Sequence, residues 1–293
     1  MSPPDAAQSL EDVRDPPLRS ILRSMWVWAS VSLLILLWLP LLAVIRVFDR
    51  DPALYSTGLW FRRLGRMMTK VNPSWHLRVE GEMPSDPRNP YVVVSNHQSM
   101  ADIPLLSNLP WEMKWIGKIE LFRLPYLGWM MRLARDIPVD RGDRRSGAAM
   151  LLKAIHMLKL RCSVMFFPEG TRSPDGRVWR FNEGAFHIAV KAQVPVLPIA
   201  VEGSYRCLPK KSWRFGSFTG LSIPSVRIWT SPSLTGTLRG GDIRLRENTA
   251  ATVRFYGTTF VIGQRTCQLQ GLHRLSLLTT QKNSTLSIST PNA

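Results

Sequence analysis

Residues 91–106 read Tyr-Val-Val-Val-Ser-Asn-His-Gln-Ser-Met-Ala-Asp-Ile-Pro-Leu-Leu. Tyr91–Val94 is a run of β-formers bounded by polar residues, which is how a short strand buried on both faces reads. The run stops at Ser95-Asn96 and a helix can begin near Ser99, so His97 falls in the strand-to-helix loop. In open α/β proteins such loops lie at the carboxyl edge of the sheet, where ligands bind. Asp102 follows five residues after His97. A carboxylate in reach of a histidine fixes the imidazole tautomer and steadies the imidazolium, as a general base requires. Taken alone, the stretch reads more simply as a solvated loop histidine ahead of a helix, since Ser99-x-x-Asp102 also fits a capping box. A second motif, described below, reverses that preference.

Outward from this strand, further β-rich runs stand at His76–Val79, Met113–Ile116, Ile137–Val139, Ser163–Phe167, Val196–Val201 and Val226–Trp229. Helical stretches separate them, clearest at Ser146–Lys159, where Met150, Leu151, Ala154, Ile155 and Leu158 line one face. Strands alternating with helices imply an α/β domain, a largely parallel sheet flanked by helices, over residues 73–240.

Before this domain the composition changes. Residues 1–18, with Pro3-Pro4 and Pro16-Pro17 among mixed charges, read as a disordered lead. Met25 to Ile45 carries no charge, and about 20 helical residues at ~1.5 Å each match the ~30 Å hydrocarbon core of a bilayer. Arg19, Arg23, Arg46 and Arg50 flank it on both sides, so neither end looks translocated and a helix that dips in and returns suits the pattern. After the Asp51-Pro52 break, Trp60, Phe61, Leu64, Met67, Met68 and Val71 form one apolar face, with Arg62, Arg63, Arg66 and Lys70 on the remainder. A basic amphipathic helix of this kind is expected in a membrane interface. Residues 19–72 thus read as an N-terminal membrane-associated helical hairpin. After Glu247 there is no acidic residue, and residues 241–293 read as a weakly ordered tail.

The net charge of +17 on 293 residues calls for an anionic partner. Nucleic acid is not expected, because neither finger spacing nor an RNP-like run occurs. The cysteines, Cys162, Cys207 and Cys267, are three and far apart, which fits neither a disulfide framework nor a zinc site. No metal or cofactor is expected.

The second motif is Phe166-Phe167-Pro168-Glu169-Gly170-Thr171-Arg172-Ser173, again at the exit of a strand. Gly170 lets backbone approach a ligand closely, and Thr171, Arg172 and Ser173 offer two hydroxyls and a guanidinium fork suited to a phosphate. Together with Asn96-His97-x4-Asp102, this resembles the 1-acyl-sn-glycerol-3-phosphate acyltransferase family of glycerolipid synthesis. Four blocks carry the resemblance, over roughly residues 75–230. They are Asn96–Asp102; Lys118–Arg141 with Pro125, Gly128 and Asp140-Arg141; Phe167–Ser173; and Val194-Pro195-Val196-Leu197-Pro198-Ile199. Two positions depart from the family pattern. Phe181-Asn182-Glu183-Gly184 stands where Phe-Lys-x-Gly is usual, and Ala134-Arg135-Asp136 where a glycine is favoured, with Arg135 available to supply the missing positive charge.

The resemblance implies a membrane-bound enzyme with its catalytic domain on the cytoplasmic face. It would transfer an acyl group from acyl-CoA or acyl carrier protein to lysophosphatidic acid, giving phosphatidic acid. His97 would be the base and Asp102 its partner. Arg172, with Arg141 as a second group, would hold the phosphate, and Lys118, Gly170 and Thr171 would complete the substrate site. Glu169 would hydrogen-bond the glycerol or brace Arg172. A serine nucleophile is disfavoured because no G-x-S-x-G occurs. Another lysolipid acceptor, or a non-catalytic membrane-surface binding protein, remains open at this level; the presence of both His97 and Asp102 speaks against the latter.

Overall fold

A computed structural model describes residues 17–72, 75–81, 83–208 and 212–216, together with strands at 225–230, 237–239, 242–244, 253–255 and 258–260. Residues 1–16 of the proline-rich lead and most of the tail expected from sequence lie outside the described residues, while residues 17 and 18 already belong to the first helix. The main sheet contains β1 (His76–Gly81), β2 (Val92–Ser95), β3 (Met113–Lys118), β4 (Ile137–Val139), β5 (Ser163–Phe166), β6 (Val196–Glu202) and β7 (Ser225–Thr230). Their spatial order is β1-β7-β6-β2-β5-β3-β4. The run from β6 to β4 is parallel throughout, while β7 is antiparallel to β6 and carries β1 alongside it. The α/β reading therefore holds, with a reversed pair added at one edge.

β2 is the middle of this sheet. Val92 faces Val164 of β5 and Val196 of β6, and Val94 faces Phe166 and Pro198. Side chains alternate between the two sides of a strand. Val92, Val94, Val164 and Phe166 accordingly pack with Ala154, Met157 and Leu158 of α5 (Arg144–Lys159) and Ile188 of α6 (Gly184–Ala192). Val93 and Met165 point the other way, into a core with Leu105 and Leu106 of α3 (Asp102–Leu106), Trp111 and Trp115. A strand sealed on both faces has only its ends accessible, so the loop after β2 is where this domain can do chemistry.

Two helices precede the sheet: α1 (Pro17–Phe48) and α2 (Tyr55–Lys70). The most apolar 18-residue window of Leu18–Phe48 has a mean hydropathy of 2.5, and only 6% of that window is buried. This helix is long and apolar enough to cross a membrane. It touches the rest of the protein at both ends. Near its start, Ser24 Oγ accepts from Phe215 N at 3.0 Å, Trp28 Nε1 donates to the Trp213 carbonyl at 2.8 Å, and Val27 is buried against Leu208 and Phe215. Further on, Trp38 Nε1 donates to the Trp60 carbonyl at 2.9 Å, and Leu42 is buried with Phe61 and Leu64 of α2 and Met130 of α4 (Leu127–Leu133).

α2 corrects the sequence reading at one residue. Arg62, placed on the polar face by periodicity, is 5% exposed. Its guanidinium grips both oxygens of Asp136, and its Nε lies 3.4 Å from Glu112 Oε2. Glu112 in turn holds Lys114 Nζ at 3.0 Å, and Lys114 also donates to the Leu54 carbonyl at 3.1 Å. Asp136 Oδ1 accepts the Trp115 N–H at 3.0 Å. Both Glu112 and Lys114 are fully buried, and burial pushes Glu112 above the usual carboxylate range against the pull of Lys114 and Arg62. The helix comes this close because residue 58 is glycine; a Cβ there would run into Glu112 Oε1 and Lys114 Nζ. α2 is thus packed onto the sheet domain by an ionic cluster as well as by its apolar face.

Removing one member of a buried ion pair leaves an uncompensated charge and costs ~3–5 kcal/mol. Arg62→Ala should therefore lose about that much unfolding free energy in detergent solution. Arg63→Ala, which removes an exposed guanidinium stacked on Trp60 at 4.3 Å, should lose less than about 1 kcal/mol. Denaturant unfolding of the two variants checks this, and equal small losses would mean the cluster contributes nothing to docking α2.

Candidate active site

The site is built on the exit of β2. Asn96 fastens it first: its amide donates to the Val201 carbonyl and accepts the Val201 N–H, each at 2.8 Å, so the loop is locked to β6. His97 follows. Its Nδ1 lies 2.8 Å from Asp102 Oδ2, and the same oxygen accepts the Gln98 N–H at 2.7 Å and the Ser99 N–H at 2.9 Å. Oδ2 already accepts two backbone N–H bonds and faces Nδ1 as an acceptor, so Nδ1 carries the proton and Nε2 presents its lone pair. Asp102 is completely buried and the His97 side chain is 12% exposed. Asp102 Oδ1 is buried with no hydrogen-bond partner among the described residues, which concentrates the carboxylate's bonding on one oxygen. The helix starts at Asp102, three residues later than the sequence suggested, after a turn at Met100-Ala101. Half of the capping box is present, as the Ser99 N–H bond to Asp102; Ser99 Oγ instead accepts from Ala101 N at 3.2 Å and donates to the Leu208 carbonyl at 3.0 Å.

The exit of β5 supplies the second loop, and the two loops are stitched together. Phe167 stacks on the imidazole with ring centroids 4.0 Å apart and 17° between planes. The His97 carbonyl accepts the Ser173 N–H at 2.8 Å. The His97 N–H donates to Glu169 Oε1 at 2.7 Å, and Glu169 Oε2 accepts the Trp179 N–H at 2.9 Å. Glu169 thus holds the backbone on either side of the site. Burial pushes this carboxyl up to about 7, overcoming the pull of the two N–H bonds. Gly170 has φ +72°, a left-handed backbone that glycine adopts freely. A Cβ there would also lie 3.1 Å from Asn182 Nδ2, so Asn182, where the family pattern has lysine, sits against Gly170. Arg172 is half-buried and Thr171 exposed.

The remaining basic candidates are spread along the same sheet edge. Lys118 ends β3 and is ion-paired with Glu120 at 2.9 Å, both exposed. Arg141 follows β4 and is exposed. Arg135 does not reach the site. It stands at the amino end of the edge strand β4, whereas the site lies at the carboxyl ends of the strands, and its Nη1 donates to the Pro52 carbonyl, a placement that speaks against its replacing the missing cation. Sequence also gave no sign of the Phe167 stacking or of Trp179 as a partner of Glu169. The ring stacking was hidden because Phe167 reads as the last residue of a buried strand.

An imidazole with a fixed Nδ1–H and an open Nε2 can take a proton from a hydroxyl. Cysteine chemistry is disfavoured, since burial pushes the Cys162 thiol up to about 12. Among the described residues no three His, Cys, Asp or Glu side chains converge as a metal site requires.

Comparison with known proteins gives the family. The Acyltransferase family profile matches residues 76–202. The chain is 41% identical over 144 residues to the chloroplastic 1-acyl-sn-glycerol-3-phosphate acyltransferase of Arabidopsis thaliana, an overlap of 48% of this chain and 40% of that one. It is 32% identical over 192 residues to the 1-acyl-sn-glycerol-3-phosphate acyltransferase of Pseudomonas aeruginosa, covering 65% of this chain and 70% of that one. The crystal structure of the 1-acyl-sn-glycerophosphate acyltransferase from Thermotoga maritima superposes with a TM-score of 0.59 at 30% identity, over 73% of this chain and 83% of that one. The match spans about two fifths of the length of the plant relatives and most of the length of the bacterial ones. On these matches the chain belongs to the 1-acyl-sn-glycerol-3-phosphate acyltransferase family.

Proposed function

We propose that this protein transfers a fatty acyl group from an acyl thioester, acyl-CoA or acyl carrier protein, to the sn-2 hydroxyl of 1-acyl-glycerol 3-phosphate, giving phosphatidic acid. The observation that carries this reading is the 2.8 Å contact between His97 Nδ1 and the buried Asp102 Oδ2, which leaves Nε2 as a base. Nε2 takes the hydroxyl proton as the oxygen attacks the thioester carbonyl. The C–O bond forms, the C–S bond breaks, and the proton passes from the imidazolium to the departing thiolate. A thiol has an ordinary pKa of ~8.5, so it leaves without a separate strong acid.

Arg172 is assigned the acceptor's phosphate. Strands lie ~4.8 Å apart, so the loop after β5 is one step from His97, whereas Arg141 after β4 is three steps, ~14 Å, away. Bonds from Ser173 N and Glu169 to the His97 backbone hold the Arg172 loop beside the imidazole. Arg141 and Lys118 then serve the outer part of the substrate, with Gly170 and Thr171 lining the approach. α1 holds the protein at the bilayer that supplies its lipid acceptor. Its contacts with the domain at both ends support both ends lying on one side of the membrane, and the flanking arginines favour the cytoplasmic side.

His97→Ala should abolish transfer from acyl-CoA while leaving the unfolding midpoint near wild type, and Asp102→Asn should be severely impaired because it keeps the shape but not the charge. Wild-type turnover in His97→Ala would end this mechanism. For the phosphate, charge-assisted hydrogen bonds of ~1.5–3 kcal/mol predict a tenfold to hundredfold loss of kcat/KM in Arg172→Ala. The loss should be confined to lysophosphatidic acid and be small for monoacylglycerol, with Arg172→Lys in between. Equal losses on both acceptors would make Arg172 a loop brace. Glu169 carries a pH signature. Its ordinary value is 4.5 and its folded value about 7, so between these the folded state keeps a proton that the unfolded state releases. Stability from this group therefore falls as pH rises through that window. Unfolding midpoints between pH 5 and 8 should decline less in Glu169→Gln than in wild type; parallel curves would refute the assignment.

A further inference from the structure

A second cationic site lies away from His97. An open cavity of about 410 Å³ between the end of α1 and α4 is lined by Arg46, Leu54, Trp129, Arg132, Leu133 and Arg135. Neither Arg46 nor Arg132 has an ion-pair partner among the described residues, and Arg135 uses one nitrogen on the Pro52 carbonyl. A guanidinium has five N–H donors, so most remain to offer. The nearest acids in sequence are already engaged. Asp49 accepts from Thr57 N and Oγ1, Asp51 pairs with Arg88 at 2.9 Å, and Asp136 is held by Arg62.

A simpler explanation covers part of this. α1 and α4 both end here, and a helix carboxyl end carries roughly half a negative charge that favours a cation in its last turn. Arg46 and Arg132 each stand in such a turn. Two half charges do not offset three full ones, and Arg135 is not covered at all. It has φ +58° directly after the last turn of α4, a position where glycine is usual and an arginine is strained. Leu54, on the facing wall, is also left-handed, at φ +51°. Arg161 and Gln193 end α5 and α6 in the same conformation, so this is how these helices stop, and it is the uncompensated charge that marks the cavity.

The surroundings identify the ligand. Val47 and Phe48, next to Arg46, are exposed, as are Trp129 and Tyr126, whose rings stand 5.3 Å apart. Exposed apolar groups beside a Trp–Tyr pair belong at the headgroup level of a bilayer. We infer that this cavity binds the phosphate-bearing headgroup of an anionic membrane phospholipid, distinct from the acyl acceptor, through Arg46, Arg132 and Arg135.

The test uses the full chain in neutral detergent, titrated with dihexanoyl-phosphatidylglycerol, dihexanoyl-phosphatidylcholine, or inorganic phosphate, with the thermal unfolding midpoint as readout. Phosphatidylglycerol should raise the midpoint at concentrations where the other two do not. Arg46→Gln with Arg132→Gln, which spares the Arg135–Pro52 bond, should raise the required concentration by about tenfold for each guanidinium lost. Lys153→Gln with Lys159→Gln, exposed on α5, should not. His97→Ala should keep the full response, so failure here is separable from failure of the catalytic reading. An equal shift in both charge pairs would reduce the effect to diffuse surface charge, and an equal response to inorganic phosphate would make it a free-anion site; either overturns the proposal.

Discussion

One carboxylate oxygen organises the reactive end of this protein. Asp102 Oδ2 accepts bonds from His97 Nδ1, Gln98 N and Ser99 N. The two backbone donors are what make this oxygen effective. They curl the chain around the carboxylate and fix its position against the imidazole. Because Asp102 also opens α3, whose Leu105 and Leu106 are sealed in the core, the oxygen is immobile relative to the sheet. The imidazole inherits that rigidity.

The second loop adds direction. Phe167 covers one face of the ring, and bonds to the N–H and C=O of His97 come from Glu169 and Ser173. A histidine held through its backbone, one ring nitrogen and one ring face has a single accessible nitrogen. Preorganisation of this sort means that little has to be rearranged when substrate arrives. It also joins the His97 loop to the segment that carries Arg172.

Much of this was legible in the sequence because it is local. His97 and Asp102 are five residues apart, so a strand-to-helix turn brings them together wherever the turn is placed. The parallel strands announced themselves as short apolar runs. What was not legible depends on partners far apart in the chain. Arg62, Glu112, Lys114 and Asp136 form one buried cluster. No periodicity can announce it, since a helical pattern assigns every arginine to solvent. Trp179, the partner of Glu169, lies ten residues downstream in a stretch without regular pattern. Arg135 was misplaced for the same reason: its neighbour in sequence belongs to the second motif block, while its neighbour in space is Pro52.

The contacts that dock the start of α1 have a consequence for how the chain is made. Arg23 and Ser24 bond to Phe215, and Trp28 to Trp213, partners 185–192 residues away. At ribosomal speeds of ~5–20 residues per second, those partners emerge roughly ten to forty seconds after the helix does. For that interval the start of α1 lacks the partners that later cover it. The second half of α1 is covered almost at once, because Trp38 and Leu42 find Trp60, Phe61 and Leu64 of α2 close behind them in the chain. The two halves of one helix are therefore completed by opposite ends of the synthesis.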